Sequence, residues 1–198
     1  MKNCLILDYG VGNIGSIQSF FKEHGYQVSF GNSEVQVSNA DLLILPGVGS
    51  FKEASRNIEL KSLRALVKSR HLENKPILGI CLGLQLLAEE SDESINSLGF
   101  GILGGKSQRL PEYSKIGWDT IQVNKTSPLA EEFFYFNHSY ATYNMKGNRF
   151  TIEATTGRYK ALVVENNTIG VQFHPEKSQS AGLKFLKWAE KVGWGMND

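Results

Sequence analysis

Residues 77–87 read Ile-Leu-Gly-Ile-Cys-Leu-Gly-Leu-Gln-Leu-Leu, and the rest of the chain can be understood around them. An apolar strand over 77–80 runs directly into Cys81, and a helix opens at Leu82. Glycines stand two residues to either side of the cysteine, where they let strand and helix pack without Cβ collisions. This is the pattern of a nucleophile elbow with cysteine in place of serine, and it predicts a sharp, strained turn that pushes the Cys81 side chain outward.

The first half of the chain alternates short apolar strands with amphipathic helices. Strands are predicted over residues 4–7, 26–30, 42–45 and 77–80. Helices are predicted over 14–24 and 60–71, with a third one opening at 82. Fully apolar runs such as 42–45 indicate burial on both faces of a parallel sheet. The alternation predicts an α/β fold with one doubly wound, mostly parallel sheet flanked by helices.

The second half is richer in strands, which are predicted over 120–123, 133–136, 150–155, 161–165 and 169–173. Asn166-Asn167 forms a plausible hairpin turn, because asparagine tolerates left-handed backbone. One helix closes the chain, with Leu183, Leu186, Trp188 and Ala189 at helical spacing. We therefore expect an antiparallel extension of the sheet and a single domain over residues 1–198.

Composition excludes several classes of protein. The 198 residues are 41% hydrophobic and 21% charged, with a formal net charge of +1. That balance is typical of a soluble globule and argues against nucleic acid or an anionic membrane as the main partner. No apolar stretch approaches the ~20 residues of a membrane span, and the apolar start of the chain is too short for a signal peptide. A cytoplasmic protein without a disulfide framework is expected.

Cys81 and Cys4 are expected to behave differently. A cysteine at a helix N-terminus lies in a positive field that favours the reactive thiolate, and the backbone N–H of Leu82 would point toward a developing oxyanion. A lone cysteine is more often buried packing, but the two glycines and the strand-to-helix context favour a nucleophile here. Cys4 lies inside an apolar strand and is predicted to be inert.

His174 is the best candidate for the base that a thiolate nucleophile needs. It follows the predicted strand 169–173, and Pro175 and Glu176 come next. In extended backbone, residues i and i+2 point to the same side, so Glu176 can orient the imidazole and stabilise its charged form. The sequence thus predicts a Cys-His-Glu triad.

The other three histidines have simpler explanations. His24 and His71 end helical stretches, where a capping role or a solvated position suffices. His138 lies in the aromatic segment 135–140 with no carboxylate close in sequence. It remains the alternative base.

Two glycine-rich loops follow predicted strands. Pro46-Gly47-Val48-Gly49 can aim backbone N–H groups into a site, although such loops are common between strands and helices. The loop at 8–15 superficially matches the G-x-G-x-x-G dinucleotide fingerprint, but only Glu34 is available as the ribose-binding acid. We therefore expect no dinucleotide, and no other cofactor or metal.

Five segments together resemble the class I (triad) glutamine amidotransferases, and among them the glutaminase subunits of imidazole glycerol phosphate synthase. They are DYGVGNIGS at 8–16, PGVGSF at 46–51, GICLGLQLL at 79–87, YFNHSY at 135–140 and GVQFHPEKSQ at 170–179. The elbow and the His-Pro-Glu segment are typical of triad amidotransferases generally. The first two segments, and the Lys-Ser-Gln that follows His-Pro-Glu, favour the narrower group.

The resemblance implies roles for individual residues, with L-glutamine as the substrate. Cys81, His174 and Glu176 would be the triad. The Val48–Gly49 backbone and the N–H of Leu82 would form the oxyanion hole. The amino-acid head of glutamine would be held by Gln85, Glu93, Ser139 and Tyr140.

The resemblance also implies a heterodimer with a (β/α)8-barrel cyclase. Ammonia would pass to that partner, which would release imidazole glycerol phosphate and an aminoimidazole carboxamide ribotide in histidine biosynthesis. Ser114-Lys115 depart from the Pro-His usual before Ile116-Gly117-Trp118, and Asn137 replaces a usual apolar residue. A paralogous partner that amidinates a surface sugar therefore remains an alternative, as do a stand-alone thiol hydrolase and, against the complete triad, a non-catalytic binding module.

Overall fold

The computed structural model describes residues 1–10, 14–111, 114–145 and 147–196. Its strands, in chain order, are β1 (Lys2–Leu7), β2 (Tyr26–Gly31), β3 (Leu42–Leu45), β4 (Ile77–Ile80), β5 (Glu90–Ser91), β6 (Lys106–Arg109), β7 (Lys115–Asp119), β8 (Phe134–His138), β9 (Tyr140–Tyr143), β10 (Phe150–Glu153), β11 (Lys160–Glu165) and β12 (Thr168–Val171). Its α-helices are α1 (Gly15–Glu23), α2 (Glu34–Asn39), α3 (Phe51–Leu60), α4 (Leu63–Leu72), α5 (Leu82–Leu87) and α6 (Gln179–Trp188). A 3-10 turn spans Pro175–Lys177 and a π-helical turn spans Ala189–Gly193.

Seven strands form the central sheet, in the order β10-β11-β12-β4-β3-β1-β2. The five strands from β12 to β2 run parallel, while β10 and β11 extend the sheet as antiparallel strands. The turn between β11 and β12 is the predicted one, with Asn166 in the left-handed region at φ 49°. The predicted α/β fold, a mostly parallel sheet with an antiparallel extension, is confirmed.

Both faces of the sheet are covered. Every residue of β3 and β4 is buried, as their unbroken apolar sequences predict. Successive residues of β3 belong to different clusters: Leu42 and Ile44 pack with the large aromatic cluster that includes Phe173, whereas Leu43 packs with the helical layer that includes Val67. The alternation of side chains along a strand thus divides one sheet between two apolar layers.

The carboxyl ends of four neighbouring parallel strands, β12, β4, β3 and β1, meet at one edge of the sheet. Chain segments that leave this edge are the Cys81 elbow, the glycine loop after Leu45, and the segment that leads to His174. Open α/β sheets bind ligands outside the carboxyl ends of their strands. The topology therefore gathers segments that are far apart in sequence.

Several elements differ from their predictions. The helix predicted over 60–71 is α4, and it begins later than predicted, at Leu63, because Ser62 takes a left-handed conformation (φ 54°) between the end of α3 and the start of α4. The strand predicted over 120–123 is wrong, since only Ile121 makes an isolated bridge, to Ala154. The strand here is β7, which pairs with β8 and lies just before the predicted segment. Helices α2 and α3 and strands β5, β6 and β9 were not predicted.

Within the described ranges, no helix combines the length and the apolar character needed to cross a membrane. The glycine loop at 8–15 falls partly on Val11, Gly12 and Asn13, which lie outside the described residues. That residues 1–198 form a single domain stays a prediction.

Candidate active site

Cys81 occupies a sharp turn between β4 and α5. Its φ is 50°, an uncommon value for a residue with a Cβ, and its N–H is held by the carbonyl of Val171 at 2.7 Å. A Cβ on Gly83 would lie 2.1 Å from the backbone oxygen of Leu45, and one on Gly79 would lie 2.8 Å from the backbone of Gly83. The turn therefore requires both glycines, for the reason that the sequence pattern indicates.

His174 and Glu176 form a buried pair. Their side chains are 1% and 2% exposed, and His174 Nδ1 lies 2.8 Å from Glu176 Oε1. The link between them differs from the predicted extended backbone, because residues from Pro175 to Lys177 make a 3-10 turn. The hydroxyl of Ser178 donates to the carbonyl of His174 at 2.6 Å and fixes this turn.

Electrostatics keep the His174 ring charged. Burial alone lowers the pKa of His174, but its interactions with Cys81 and then Glu176 raise it to about 10. Because Nδ1 is engaged by Glu176, Nε2 is the ring atom left for proton exchange. Nε2 is buried and has no hydrogen-bond partner among the described residues. The arrangement can hold an imidazolium beside the Cys81 sulfur. Acyl transfer to a thiolate requires such a group, because the departing amine must receive a proton.

His138, the alternative base, lies in a different environment. Its Nδ1 is 3.0 Å from the carbonyl of Tyr140, and its ring packs edge-on against Tyr159, with centroids 4.9 Å apart. Burial, with smaller contributions from His174 and Lys115, lowers the pKa of His138 to about 4, although the hydrogen bond that the ring donates to the Tyr140 carbonyl raises it. His138 is thus neutral at pH 7, and no carboxylate in the described part of the chain orients its ring.

The two remaining histidines and Cys4 lie away from the elbow. His24 Nδ1 is 2.6 Å from the carbonyl of Phe20, one turn earlier in the chain. His71 is half-buried rather than solvated, with Nδ1 2.8 Å from the hydroxyl of Thr168. Cys4 is fully buried, and burial raises its pKa to about 12, which makes its thiol unreactive at neutral pH.

A cavity of about 450 Å³ opens in front of Cys81. Its lining includes the three residues predicted for the oxyanion hole, Val48, Gly49 and Leu82. The lining also includes the four residues predicted for the glutamine head, Gln85, Glu93, Ser139 and Tyr140. A second cavity of about 470 Å³ lies between α2 and α4, and its described lining has neither cysteine nor histidine, so we favour the first as the site.

The loop after β3 packs directly against the elbow. A Cβ on Gly47 would lie 2.0 Å from the backbone oxygen of Ile80, so the two chain segments touch through their backbones. Gly49 has a φ of 133°, a conformation that residues with side chains rarely adopt. The hydroxyl of Tyr9 donates to the carbonyl of Pro46 and anchors the start of the loop.

Glu93 links the cavity to the end of this loop. Its carboxylate accepts a hydrogen bond from the Ser50 hydroxyl at 2.7 Å and one from the Phe51 N–H at 3.0 Å. Gln85 is also engaged, since its Nε2 donates to the carbonyl of Tyr140 at 2.6 Å. Glu93 and Gln85, both predicted to contact the substrate, therefore line the cavity and are hydrogen-bonded to other residues of the chain.

Sequence reasoning missed Gln172. This residue is completely buried, and its Nε2 lies 3.5 Å from Cys81 Sγ. The signal in the sequence was its position two residues before the predicted base, His174. Among the described residues, no group of three or more His, Cys, Asp or Glu side chains could hold a metal ion.

Comparisons with known proteins agree with this arrangement. The profile of the family "Glutamine amidotransferase class-I" matches residues 5–188. The chain is 39% identical to the imidazole glycerol phosphate synthase subunit HisH of Aquifex aeolicus, over 92% of this chain and 93% of that protein. It is 35% identical to the HisH subunit of Symbiobacterium thermophilum, over 97% of this chain and 95% of that protein.

Solved structures share the fold at lower identity. A glutamine amidotransferase crystal structure superposes with a TM-score of 0.75 at 17% identity, over 93% of this chain and 96% of the other. A glutamine amidotransferase from Thermotoga maritima gives 0.65 at 18% identity, over 96% of this chain and 83% of the other. The chain therefore belongs to the class-I glutamine amidotransferase family, as an enzyme related to the HisH subunits of imidazole glycerol phosphate synthase.

Proposed function

We propose that Cys81, His174 and Glu176 hydrolyse the side-chain amide of L-glutamine to glutamate and ammonia. Cys81 Sγ attacks the amide carbon, and a C–S bond forms. When the C–N bond breaks, His174 gives its Nε2 proton to the departing ammonia. Water then attacks the thioester with His174 as base, the C–S bond breaks, and glutamate leaves. The buried His174–Glu176 pair beside the elbow cysteine carries this proposal.

The backbone around the cavity would stabilise the tetrahedral intermediate. Val48, Gly49 and Leu82 line the cavity that contains Cys81, so their backbone groups are available to an oxyanion there. Gly49 is free to rearrange because it has no side chain. In this role the loop from 46 to 49 supplies donors, and Tyr9 holds its first carbonyl.

Gln85, Glu93 and the Ser139–Tyr140 segment would bind the amino-acid head of glutamine. Glu93 is the only carboxylate in the described lining of the cavity, and it suits an ammonium group. Ser139 is exposed at the cavity, where its polar atoms can meet a carboxylate. An ammonium group of glutamine bound at Glu93 would compete for the carboxylate with the hydrogen bonds that Glu93 accepts from Ser50 and Phe51.

The ammonia acceptor would be a (β/α)8-barrel cyclase bound as the second subunit of the cytoplasmic heterodimer. The HisH relatives support this assignment, because their names place them in imidazole glycerol phosphate synthase. Ile116 and Trp118 project from β7 with exposures of 67% and 46%, and Phe133 is 59% exposed. Trp118 contacts Tyr135, whose ring lies 6.5 Å from that of His174. This exposed apolar surface beside the triad suits a partner that receives ammonia.

The Ser114-Lys115 departure lies at the start of β7. Lys115 forms an ion pair with Asp119 (2.9 Å) and contacts the Thr156 hydroxyl (3.0 Å).

In the complex the acceptor would yield imidazole glycerol phosphate and an aminoimidazole carboxamide ribotide. Capture of the chain from its own cells tests this directly: a co-purifying histidine-pathway cyclase is expected, and a paralogue that serves sugar amidination would overturn the histidine assignment.

Replacement of Cys81 by serine tests the chemistry. The Cys81→Ser complex should lose glutamine-dependent synthesis and keep synthesis from added ammonia, because only ammonia release needs the thiol. Cys4→Ser is the matched control and should keep both activities. Glutamine use by the Cys81→Ser complex would remove the nucleophile assignment. Rapid glutamine hydrolysis by the isolated chain would argue against coupling and favour a stand-alone hydrolase.

A further inference from the structure

Gln172 connects two residues of the candidate site through its buried amide. It lies in the segment between β12 and His174, and its side chain is completely buried. Its Oε1 lies 3.4 Å from Gln85 Nε2, and its Nε2 lies 3.5 Å from Cys81 Sγ. Its backbone N–H is bonded to Ala161 on the neighbouring strand, so the side chain starts from a fixed position.

The hydrogen-bond chain fixes which end of the Gln172 amide faces the sulfur. The carbonyl of Tyr140 can only accept, so the Gln85 atom 2.6 Å from it is the NH₂ group. That NH₂ group also faces Gln172, and the Gln172 atom opposite it must be an oxygen. The NH₂ group of Gln172 therefore faces Sγ, and rotating the amide by 180° would set two donors against each other.

The other polar neighbour of the sulfur has the opposite preference. Cys81 Sγ lies 3.7 Å from the backbone carbonyl of Asn137, an acceptor that suits the protonated thiol and repels a thiolate. An N–H donor suits the thiolate. Gln172 is the side-chain donor that the hydrogen bonds of the described residues place on Sγ.

We propose that Gln172 is a catalytic residue that donates a hydrogen bond to the Cys81 thiolate, with its amide oriented by Gln85 and the Tyr140 carbonyl. The proposal rests on Cys81 being the nucleophile. The bond acts twice in a turnover, first by raising the thiolate population before attack. It acts again when the thioester C–S bond breaks and the electron pair returns to sulfur, while the water oxygen becomes part of the glutamate carboxylate.

Gln172→Met tests the bond, because methionine fills a similar volume without an N–H donor. The rate of Cys81 alkylation by iodoacetamide is measured against pH on the full chain, with peptide mass spectrometry separating Cys81 from buried Cys4. A hydrogen bond to a charged acceptor corresponds to roughly a tenfold or larger change in thiolate population. The alkylation midpoint should rise by about one pH unit. Thr142→Val, which removes another fully buried polar group, should leave the midpoint unchanged.

Two further measurements distinguish the donor from a packing role. In the complex, Gln172→Met should lower kcat for glutamine about tenfold with little change in KM, and Gln172→Glu, which presents an acceptor to the thiolate, should lower it further. In the wild-type chain, the side-chain amide NMR signals of Gln172 should shift with the same midpoint as Cys81 alkylation. This last readout does not depend on a variant that folds.

The outcomes separate this proposal from the one on which it rests. If wild-type Cys81 reacts no faster than an ordinary exposed cysteine, the nucleophile assignment fails. If wild-type Cys81 is reactive but Gln172→Met keeps the same midpoint, or the amide signals do not follow the thiol titration, the Gln172 proposal alone is overturned. A fall in thermal stability of Gln172→Met with an unchanged midpoint would give Gln172 only a packing role.

Discussion

Replacing Glu176 with glutamine removes the negative charge that faces His174 Nδ1 and keeps the size of the side chain. In the folded protein, burial lowers the pKa of His174, while Cys81 and Glu176 together raise it from 6.5 to about 10. A rise of this size corresponds to about 5 kcal/mol in favour of the imidazolium. Because the buried imidazolium loses its carboxylate partner, we expect Glu176→Gln to lower the free energy of unfolding by about 2 kcal/mol at pH 7.

The loss of stability in Glu176→Gln should depend on pH in a specific way. A pKa that is raised in the folded state contributes stability that is fully present below pH 6.5 and disappears as the pH rises through about 10. The difference in the free energy of unfolding between wild type and Glu176→Gln should therefore be largest near pH 6.5, remain substantial at pH 7 and close as the pH rises through about 10. Activity should fall roughly 10- to 100-fold at pH 7, since the base loses its orienting charge.

Urea unfolding of both proteins at pH 7 and above pH 10 measures the gap. Exposed Glu23→Gln is the control and should unfold like wild type at both values, because this residue has no role in the site. A gap of the same size at both pH values, or no gap at pH 7, would refute the charge coupling between Glu176 and His174.

Three further predictions concern the residues around the triad. Burial lowers the pKa of His138 to about 4, so the stability that comes from keeping this ring neutral is lost as the pH falls from 6.5 to about 4. The free energy of unfolding of wild type, measured in urea, should fall by up to about 3 kcal/mol over that pH range, and it should depend less on pH in His138→Gln. Gly83→Ala should lower the free energy of unfolding by about 1–3 kcal/mol, because its Cβ would meet the Leu45 backbone oxygen; full stability would contradict the close packing at the elbow. Tyr9→Phe should release the Pro46 carbonyl at the start of the glycine loop, and in steady-state assays of glutamine hydrolysis it should reduce kcat more than it raises KM. An unchanged kcat would show that the Tyr9 hydroxyl does not position this loop.

The parallel half of the sheet was predictable because its signals are local. The strands at 42–45 and 77–80 are apolar at every position, and both β3 and β4 have those bounds in the structure. Burial on both faces leaves no polar residue to blur the pattern.

The second half was harder, for reasons visible in β7. This strand carries Lys115, Gly117 and Asp119 together with exposed Ile116 and Trp118, so its composition does not match a core strand. The predicted strand at 120–123 alternates apolar and polar residues more regularly, yet forms only one bridge. Pairing with β8 decides the outcome, and that contact is made nearly twenty residues away in sequence.

The residues of the candidate site likewise fall into those that the sequence predicts and those that only the folded chain reveals. Cys81 at its elbow, and His174 with Glu176, are predicted by short segments whose chemistry is complete within a few residues. The place of Gln172 beside the sulfur depends on a contact between β12 and the elbow, 91 residues apart in sequence. The bonds from Glu93 to Ser50 and Phe51 likewise need the folded chain. Local patterns therefore predict the reacting groups better than the residues that hold them in place.

Chemical labelling with a glutamine analogue tests the central claim that Cys81 is the nucleophile for glutamine. The chain is incubated with 6-diazo-5-oxo-L-norleucine, whose ketone carbon takes the place of the amide carbon and whose diazomethyl carbon takes the place of the amide nitrogen. The sulfur forms a bond to the diazomethyl carbon as N₂ leaves, and peptide mass spectrometry then locates the label. The label should be found on the Cys81 peptide, should be slowed by excess glutamine, and should be absent from Cys81→Ser. Label on Cys4 or elsewhere, or undiminished labelling of Cys81→Ser, would contradict the account.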